Sequence, residues 1–337
     1  MITWGLLSTA RINRRLLKAA AETDRAGVVA VASRDAARAQ TYAREHGIPK
    51  AYGSYEALLE DPEVEAVYIS LPNALHVEWT LRGLEAGKHV LCEKPFSRRP
   101  EEVRQAFDLA DSKHLVLSEA FMWRHHPQTK TLAALLDERV IGRLRIVRAA
   151  FGFRLESVHG TGDARLSPQL EGGSLMDVGC YCVNAIRLLA GEPKCVHGEQ
   201  ALGESGVDIT FAGTLRCADD VLAHFDCGLV LPDRAALEVV GEGGEASSSA
   251  IPGTLTGQAS SCGEGTGPRS SSSRSRRRTR IGSSSRMSAL RSRARQPRCS
   301  GGTMRSARPG RSTPSTGRQT VARDLRPGRG PLRADDL

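Results

Sequence analysis

Apolar residues in the first 121 positions form short runs set between amphipathic stretches. Ile2–Leu7, Val28–Ala32, Val64–Ser70, His89–Cys92 and Leu115–Glu119 are runs of strand length. Between them, Arg11–Ala21, Asp35–His46, Tyr55–Leu59, His76–Ala86 and Pro100–Ser112 repeat their apolar positions with a helical period. The fourth of these ends at Gly87, a residue suited to a helix C-cap. Strand and helix in strict alternation predict right-handed βαβ units on a parallel sheet, a doubly wound Rossmann domain over residues 1–121.

Past Trp123 the rhythm changes. A helix is expected over Thr129–Asp137 and a long strand over Leu144–Phe153, and Gly172–Leu189 is mostly helical up to Gly191. Val207–Arg216, Val221–Leu231 and Ala235–Val240 then alternate as strands. The expectation for residues 122–245 is an α+β domain with an open, largely antiparallel sheet, ending on a strand near Ala235–Val240. From Ala246 to the last residue, 337, all periodicity is lost.

Composition sharpens that boundary. The net charge is +9, but residues 247–337 hold 19 Arg, no Lys and four acids, while residues 1–246 hold 28 basic against 34 acidic side chains. Every His, Tyr, Phe and Trp lies at or before Phe225. The first part reads as an ordinary soluble protein, and the tail has too few apolar side chains to build a core. No run approaches the roughly 20 apolar residues a membrane span needs. The eight Cys include no CxxC pair, and no Cys/His set has zinc-finger spacing. A cytoplasmic chain with free thiols, without a metal and without a membrane partner, is the expectation.

Candidate chemistry gathers where strands end. In Gly5-Leu-Leu-Ser8-Thr9-Ala10-Arg11-Ile12-Asn13 the dinucleotide fingerprint glycines are replaced at Ser8, Ala10 and Asn13. Small residues there still let backbone approach a pyrophosphate at a helix N-terminus; a plain strand–helix turn fits the same residues. At the end of the second strand, Ser33-Arg34 stands where an NAD site carries a carboxylate. A guanidinium there can grip a 2′-phosphate, which points to NADP with NAD still possible. A solvated Arg34 beside a capping Asp35 is the alternative. Leu71-Pro72-Asn73, His76 and Glu93-Lys94-Pro95 follow the third and fourth strands, at the carboxyl ends of parallel strands, where open α/β folds bind ligands.

Val67–His76, Gly87–Pro95, Glu119–Gln128 and Gly172–Tyr181 together resemble the glucose-fructose oxidoreductase/inositol dehydrogenase family (Gfo/Idh/MocA), nearest its NADP-dependent xylose and dimeric dihydrodiol dehydrogenase branch. The resemblance covers residues 2 to about 245. It implies hydride transfer between NADP and a sugar or polyol carbinol, as in oxidation of an aldose at C1 to a lactone. It assigns catalytic roles to Lys94, Asp177 and Tyr181. Tyr181 is the base, its pKa lowered by Lys94, and Asp177, one helical turn earlier, orients the substrate hydroxyl or Lys94. Cofactor contacts fall to Ser8, Thr9, Ala10, Arg11, Ile12, Ser33, Arg34, Leu71, Pro72, Asn73, His76, Glu93 and Lys94, and substrate contacts to Trp123, Arg124, His125 and Asp177. Many family members carry His where this chain has Tyr181. The family also implies a homodimer formed through the open face of the second sheet. His125 and His126 are adjacent, so on most backbones they diverge, and no carboxylate or Cys cluster joins them as metal ligands. Cys180 and Cys182 read as pocket walls.

The tail has two readings. An Arg- and Ser-rich arm is an ordinary nucleic-acid-binding device. The alternative is translation in a shifted frame, because a Ser codon of the TCN type hides a codon with T in its middle, which always encodes an apolar residue. Read one base earlier with wobble bases free, 246–254 becomes GILLRDPWH and 304–320 becomes DALGQARTIDALYRAAD. The first is a strand and the second an amphipathic helix. The frameshift near Glu245 is the preferred reading. A non-catalytic nicotinamide- or sugar-binding protein, or an inactive frameshifted product, stands beside the enzyme reading.

Overall fold

The computed structural model describes residues 1–155 and 162–248. The first 121 residues follow the expected alternation: β1 (Ile2–Leu7), α1 (Asn13–Ala21), β2 (Ala26–Ala32), α2 (Ala36–His46), β3 (Lys50–Tyr52), α3 (Tyr55–Leu59), β4 (Ala66–Ile69), α4 (His76–Glu85), β5 (His89–Cys92), α5 (Pro100–Ser112) and β6 (Leu117–Glu119). All pairs are parallel and the order is β3-β2-β1-β4-β5-β6, so the chain changes direction across the sheet between β1 and β4. Helices cover both faces, which is why β4 is buried at every position. Leu7, Val67, Ile69 and Leu84 pack on one side of this sheet, and Leu6, Val31 and Tyr68 on the other. The strand β3 was not legible in the sequence. It is three half-buried residues at the sheet edge, too short to show alternation.

The second half holds α6 (Pro127–Asp137), β7 (Leu144–Arg154), α7 (Cys180–Ala190), β8 (Cys195–Leu202), β9 (Asp208–Arg216), β10 (Leu222–Gly228), β11 (Val230–Gly241) and β12 (Glu245–Ser248). Their order is β12-β11-β7-β10-β9-β8; β7 and β10 run parallel and the other pairs antiparallel. Val147, Ala149, Ala223, Phe225, Leu237 and Val239 alternate onto the face that α7 covers. The opposite face carries ion pairs such as Arg148–Glu238 at 2.6 Å and Arg234–Asp226 at 2.8 Å.

Two edges depart from expectation. β8 is exposed at nearly every residue, so it shows no apolar alternation to read. The sheet does not end on Ala235–Val240, because β12 adds a further strand, pairing Val239 with Ala246 and Leu237 with Ser248. Cys92, Cys180, Cys182, Cys217 and Cys227 are free thiols, whereas Cys195 is disulfide-bonded and departs from the expected free state. The out-of-frame reading of 246–337 falls almost wholly outside the described residues. No helix among the described residues is long and apolar enough to cross a membrane.

Candidate active site

The turn after β1 lies at the strand-order switch and is built from side chains rather than glycines. Ser8 has φ +124°, a backbone region that favours glycine and costs other residues about 1–3 kcal/mol. A closed set of hydrogen bonds holds it there. Ser8 Oγ donates to the Ser70 carbonyl at 3.0 Å and accepts from the Ala10 amide at 3.1 Å. Ser70 Oγ donates to Asn13 Oδ1 at 2.6 Å, and Asn13 Nδ2 donates to the Ser8 carbonyl at 2.8 Å. Asn13, fully buried, thus ties the turn after β1 to the end of β4. In the sequence it stands only as a replaced fingerprint glycine.

At the end of β2, Ser33 is buried and its Oγ accepts from the Asp35 amide at 3.2 Å. Asp35 caps α2, accepting from the Ala37 and Arg38 amides at 2.8 and 3.2 Å. Arg34 and Arg38 are exposed and act together on the Tyr55 hydroxyl. Burial raises the Tyr55 pKa, and both guanidinium charges oppose it. Arg38 was missed in the sequence, although its spacing of four from Arg34 on a helix start was a usable signal.

The loops after β4 and β5 are locked to each other. His76 Nδ1 lies 2.8 Å from the Pro95 carbonyl oxygen and Nε2 lies 2.8 Å from that of Leu71, with the ring fully buried. Burial lowers its pKa, although the two carbonyls favour the charged ring. Asn73 Nδ2 donates to the Glu171 carbonyl at 2.9 Å. Glu93 is buried, accepting from the Tyr68 hydroxyl and, at 3.2 Å, from the Lys94 amide. Burial first and Glu93 second hold the Tyr68 hydroxyl well above the usual phenol range.

Lys94 reaches from this loop to the second half of the molecule. Its Nζ donates to the Asp177 carbonyl at 2.7 Å and to Asp177 Oδ1 at 3.1 Å. It also lies 4.9 Å from the centre of the Tyr181 ring. Burial works against its charge, but Asp177 leads a set of groups that outweighs burial, and the ammonium is held above the usual lysine range. Asp177 sits in a π-helical turn, Leu175–Gly179, that runs into α7. Such a turn is common at functional sites. Arg165 Nη1 stands 3.9 Å from Asp177 Oδ2, a second cation that the sequence reading missed. Tyr181 is packed edge-on to Phe121 and Phe151, with ring centres 5.4 and 5.5 Å away. Among the described residues its hydroxyl makes no hydrogen bond, yet it is not sealed off as a buried unpaired atom. It is therefore open to an incoming ligand.

Residues 2–121 match the model of the oxidoreductase family with an NAD-binding Rossmann fold, and residues 129–247 match the GFO/IDH/MocA C-terminal domain. The chain belongs to the Gfo/Idh/MocA oxidoreductase family. It is 41% identical over 231 residues to D-xylose 1-dehydrogenase (NADP(+)) 2 of Haloferax volcanii, covering 68% of this chain and 70% of that one. It is 37% identical over 233 residues to trans-1,2-dihydrobenzene-1,2-diol dehydrogenase of Bos taurus, covering 68% of each chain. A 3-ketoreductase from Actinomadura kijaniata, solved with NADP and TDP-benzene, superposes with a TM-score of 0.68 at 33% identity, covering 74% of this chain and 77% of that one.

In this Gfo/Idh/MocA chain three expectations need correction. Trp123 is not available to a substrate: it is fully buried, its indole N–H donating to Asn184 Oδ1 at 3.2 Å. The His76 ring is not free for a polar cofactor contact, since it is fully buried and both its nitrogens face carbonyl oxygens. The Tyr181 pKa is not lowered. Burial outweighs the Lys94 charge and pushes it up to about 12. Arg124 and His125 are exposed, at the start of the second half. Ser8, Thr9, Ala10 and Ile12 are half-buried and Arg11 exposed along the turn after β1, while Leu71 is buried and Pro72 half-buried at the end of β4.

Proposed function

We propose that the chain oxidises a carbinol of a sugar or polyol, with NADP as the hydride acceptor. The observation that carries this reading is the convergence of Lys94, Asp177 and Tyr181 beside the carboxyl ends of a parallel sheet. The cofactor fits the residues present. Ser8 holds a glycine-like turn at the switch between β1 and β4, and the end of β2 presents Arg34 and Arg38 in place of a carboxylate. Ser8, Thr9, Ala10, Arg11 and Ile12 would line the pyrophosphate, Ser33, Arg34 and Arg38 the 2′-phosphate, and Leu71, Pro72, Asn73, Glu93 and Lys94 the rest of the cofactor. NADP, when bound, supplies the hydride-accepting ring.

The protein's own task is the proton. The Tyr181 hydroxyl takes no hydrogen bond among the described residues, and it takes the carbinol proton as hydride leaves. Lys94 supplies the positive charge that favours the phenolate. Asp177 keeps that ammonium in place and offers its carboxylate to a neighbouring substrate hydroxyl. Arg124 and His125 flank the substrate side, and Cys180 walls it.

A sugar oxidised at C1 to the lactone is the finer reading, supported by the similarity to a xylose 1-dehydrogenase. Residues 1–121 serve as the cofactor half and 122–245 as the substrate half, with pairing of two chains through the open face of the second sheet. A non-catalytic binding protein of the same fold would have no use for all three of Lys94, Asp177 and Tyr181. Purified protein with NADP and a panel of aldoses and trans-dihydrodiols tests the reading. Formation of reduced nicotinamide with an aldose, and of a lactone as product, is expected. NADP binding without turnover of any carbinol would return the binding-protein reading.

A further inference from the structure

We infer that Asp208, at the start of β9, is a positioning residue for the catalytic cluster, acting as a surrogate cap for the π-helical turn that carries Asp177. The inference rests on the roles proposed above for Asp177 and Tyr181.

A helix start leaves backbone N–H groups without partners, and Ser at the N-cap usually supplies an acceptor from its own side chain. Ser174 precedes the turn Leu175–Gly179 but makes no such bond; its backbone is already helical. Its hydroxyl points away and donates to Asp208 Oδ2 at 2.6 Å. The same carboxylate oxygen accepts from the Leu175 amide at 2.7 Å. One atom from a strand 33 residues further on therefore does the work of the local cap, and it brings a negative charge to a helix N-terminus.

The chain before the turn is shaped to receive that carboxylate. Gly173 has φ +117°, and a Cβ there would sit 2.1 Å from Asp208 Oδ1. A Cβ on Gly172 would lie 2.3 Å from the Arg165 carbonyl oxygen. Only glycine lets the backbone lie this close at either position. On the far side, a Cβ on Gly179 would sit 2.7 Å from Cys227 Sγ, and that thiol donates to Ser174 Oγ at 3.7 Å. The turn is thus clamped at both ends to β9 and β10, not to α7 alone.

Three hydrogen bonds transmit the clamp to the chemistry. The Gly173 carbonyl accepts from the Asp177 amide at 2.9 Å, and Asp177 then holds Lys94 through both its carbonyl and its carboxylate. Tyr181 follows in the same continuous helix. The Gly-Gly-Ser-Leu-Met-Asp sequence is in this account a docking surface for Asp208, and the sheet sets where the lysine and the tyrosine stand. Asp208 touches none of the three catalytic groups in any hydrogen bond of the described residues.

The test compares Asp208→Ala and Asp208→Asn with Asp177→Asn in the full chain, reading kcat, KM, NADP affinity and thermal unfolding. Displacement of a reacting group by about 1 Å can cost on the order of a hundredfold in rate. Asp208→Ala is expected to lower kcat by about ten- to a hundredfold, with NADP affinity within about twofold of wild type. Both bonds end on a single oxygen that an amide can replace, so Asp208→Asn is expected to recover kcat to within a few-fold. Wild-type kcat in Asp208→Ala, alongside a slow Asp177→Asn, overturns the positioning role and leaves the catalytic reading standing. Wild-type kcat in Asp177→Asn instead defeats the catalytic reading itself. Parallel loss of NADP affinity and of folded protein in both Asp208 variants also overturns the proposal, since a merely structural carboxylate would behave that way.

Discussion

Lys94 Nζ faces the ring of Tyr181, 4.9 Å from its centre, while its two hydrogen bonds go to Asp177. A cation over an aromatic face is attracted to the ring, by about 2 kcal/mol when desolvated. This pose leaves the hydroxyl free for substrate and makes the lysine an electrostatic partner, not a hydrogen-bonded one.

The pH dependence follows from that pose. Burial is the largest influence on Tyr181, Lys94 opposes it, and the balance stands at about 12. A base is competent only when deprotonated, and below its pKa the competent fraction grows about tenfold per pH unit. The value of kcat/KM for carbinol oxidation should therefore climb without a plateau up to about pH 10. In the reductive direction the same group acts as an acid, stays protonated and gives a flat profile. Tyr181→Phe should cut turnover by about 10²–10⁴ while NADP binding stays near wild type. A plateau near neutrality, or a Tyr181→Phe variant of ordinary activity, would take Tyr181 out of the mechanism.

The Lys94–Asp177 pair makes a second, separable prediction. The two side chains are 14% and 20% exposed, so removing one partner strands a charge that water reaches only in part. Breaking a fully buried pair costs about 3–5 kcal/mol, and partial exposure places this one near or below the lower bound. Lys94→Met should lose stability on that scale, since Arg165 at 3.9 Å offers Asp177 a weaker substitute. Adding Asp177→Asn should restore part of the stability and none of the activity. Urea melts and initial rates on the four-member cycle measure both; additive losses of stability would show that the pair is not coupled.

Much of this arrangement was legible in the sequence, for identifiable reasons. The parallel sheet was readable because its central strands are covered on both faces and show as apolar runs: Ala66–Ile69 is the clearest. Lys94, Asp177 and Tyr181 stand out in the sequence because each sits in a short local motif, and the structure brings them together. What stayed hidden was set by tertiary contacts between distant residues. Asn13 looks like a failed glycine until Ser8 and Ser70 close around it. Arg165 carries no motif, and it reaches Asp177 across 12 positions of sequence. Trp123 and His76 misled in the other direction, since a polar or aromatic residue inside a site motif is equally suited to burial with its hydrogen bonds satisfied. The direction of the Tyr181 shift could not be read at all, because it depends on how far Phe121 and Phe151 shut out water.

Cofactor choice rests on the end of β2. Asp35 is spent on capping α2, so no carboxylate is left there for ribose hydroxyls, and two exposed guanidiniums flank the place instead. A charge-assisted phosphate contact is worth about 1.5–3 kcal/mol. Arg34→Ala should accordingly weaken NADP binding by roughly ten- to a hundredfold and leave NAD almost unaffected. Arg38→Ala should have a smaller effect of the same sign. Fluorescence titration with both dinucleotides reads the ratio, and an unchanged preference in the Arg34→Ala, Arg38→Ala double variant would place the 2′-phosphate elsewhere.

The family match stops at residue 247, within two residues of Glu245, where the pattern of the chain breaks. β12 begins at that point, a four-residue edge strand pairing Val239 with Ala246 and Leu237 with Ser248. Shifted by one base, 246–249 reads Gly-Ile-Leu-Leu, which converts a polar stub into an apolar strand that continues the sheet. The unpaired backbone N–H and C=O groups along a sheet edge are a template for pairing with other chains. We expect sequencing of the coding DNA around codon 245 to reveal a gained or lost base. We also expect the frame-restored protein to exceed the present one in solubility and in NADP-linked sugar oxidation. Equal activity in the two proteins, with salt-sensitive DNA binding that depends on Arg274, Arg276, Arg277, Arg278 and Arg280, would sink the frameshift and make the tail a basic arm.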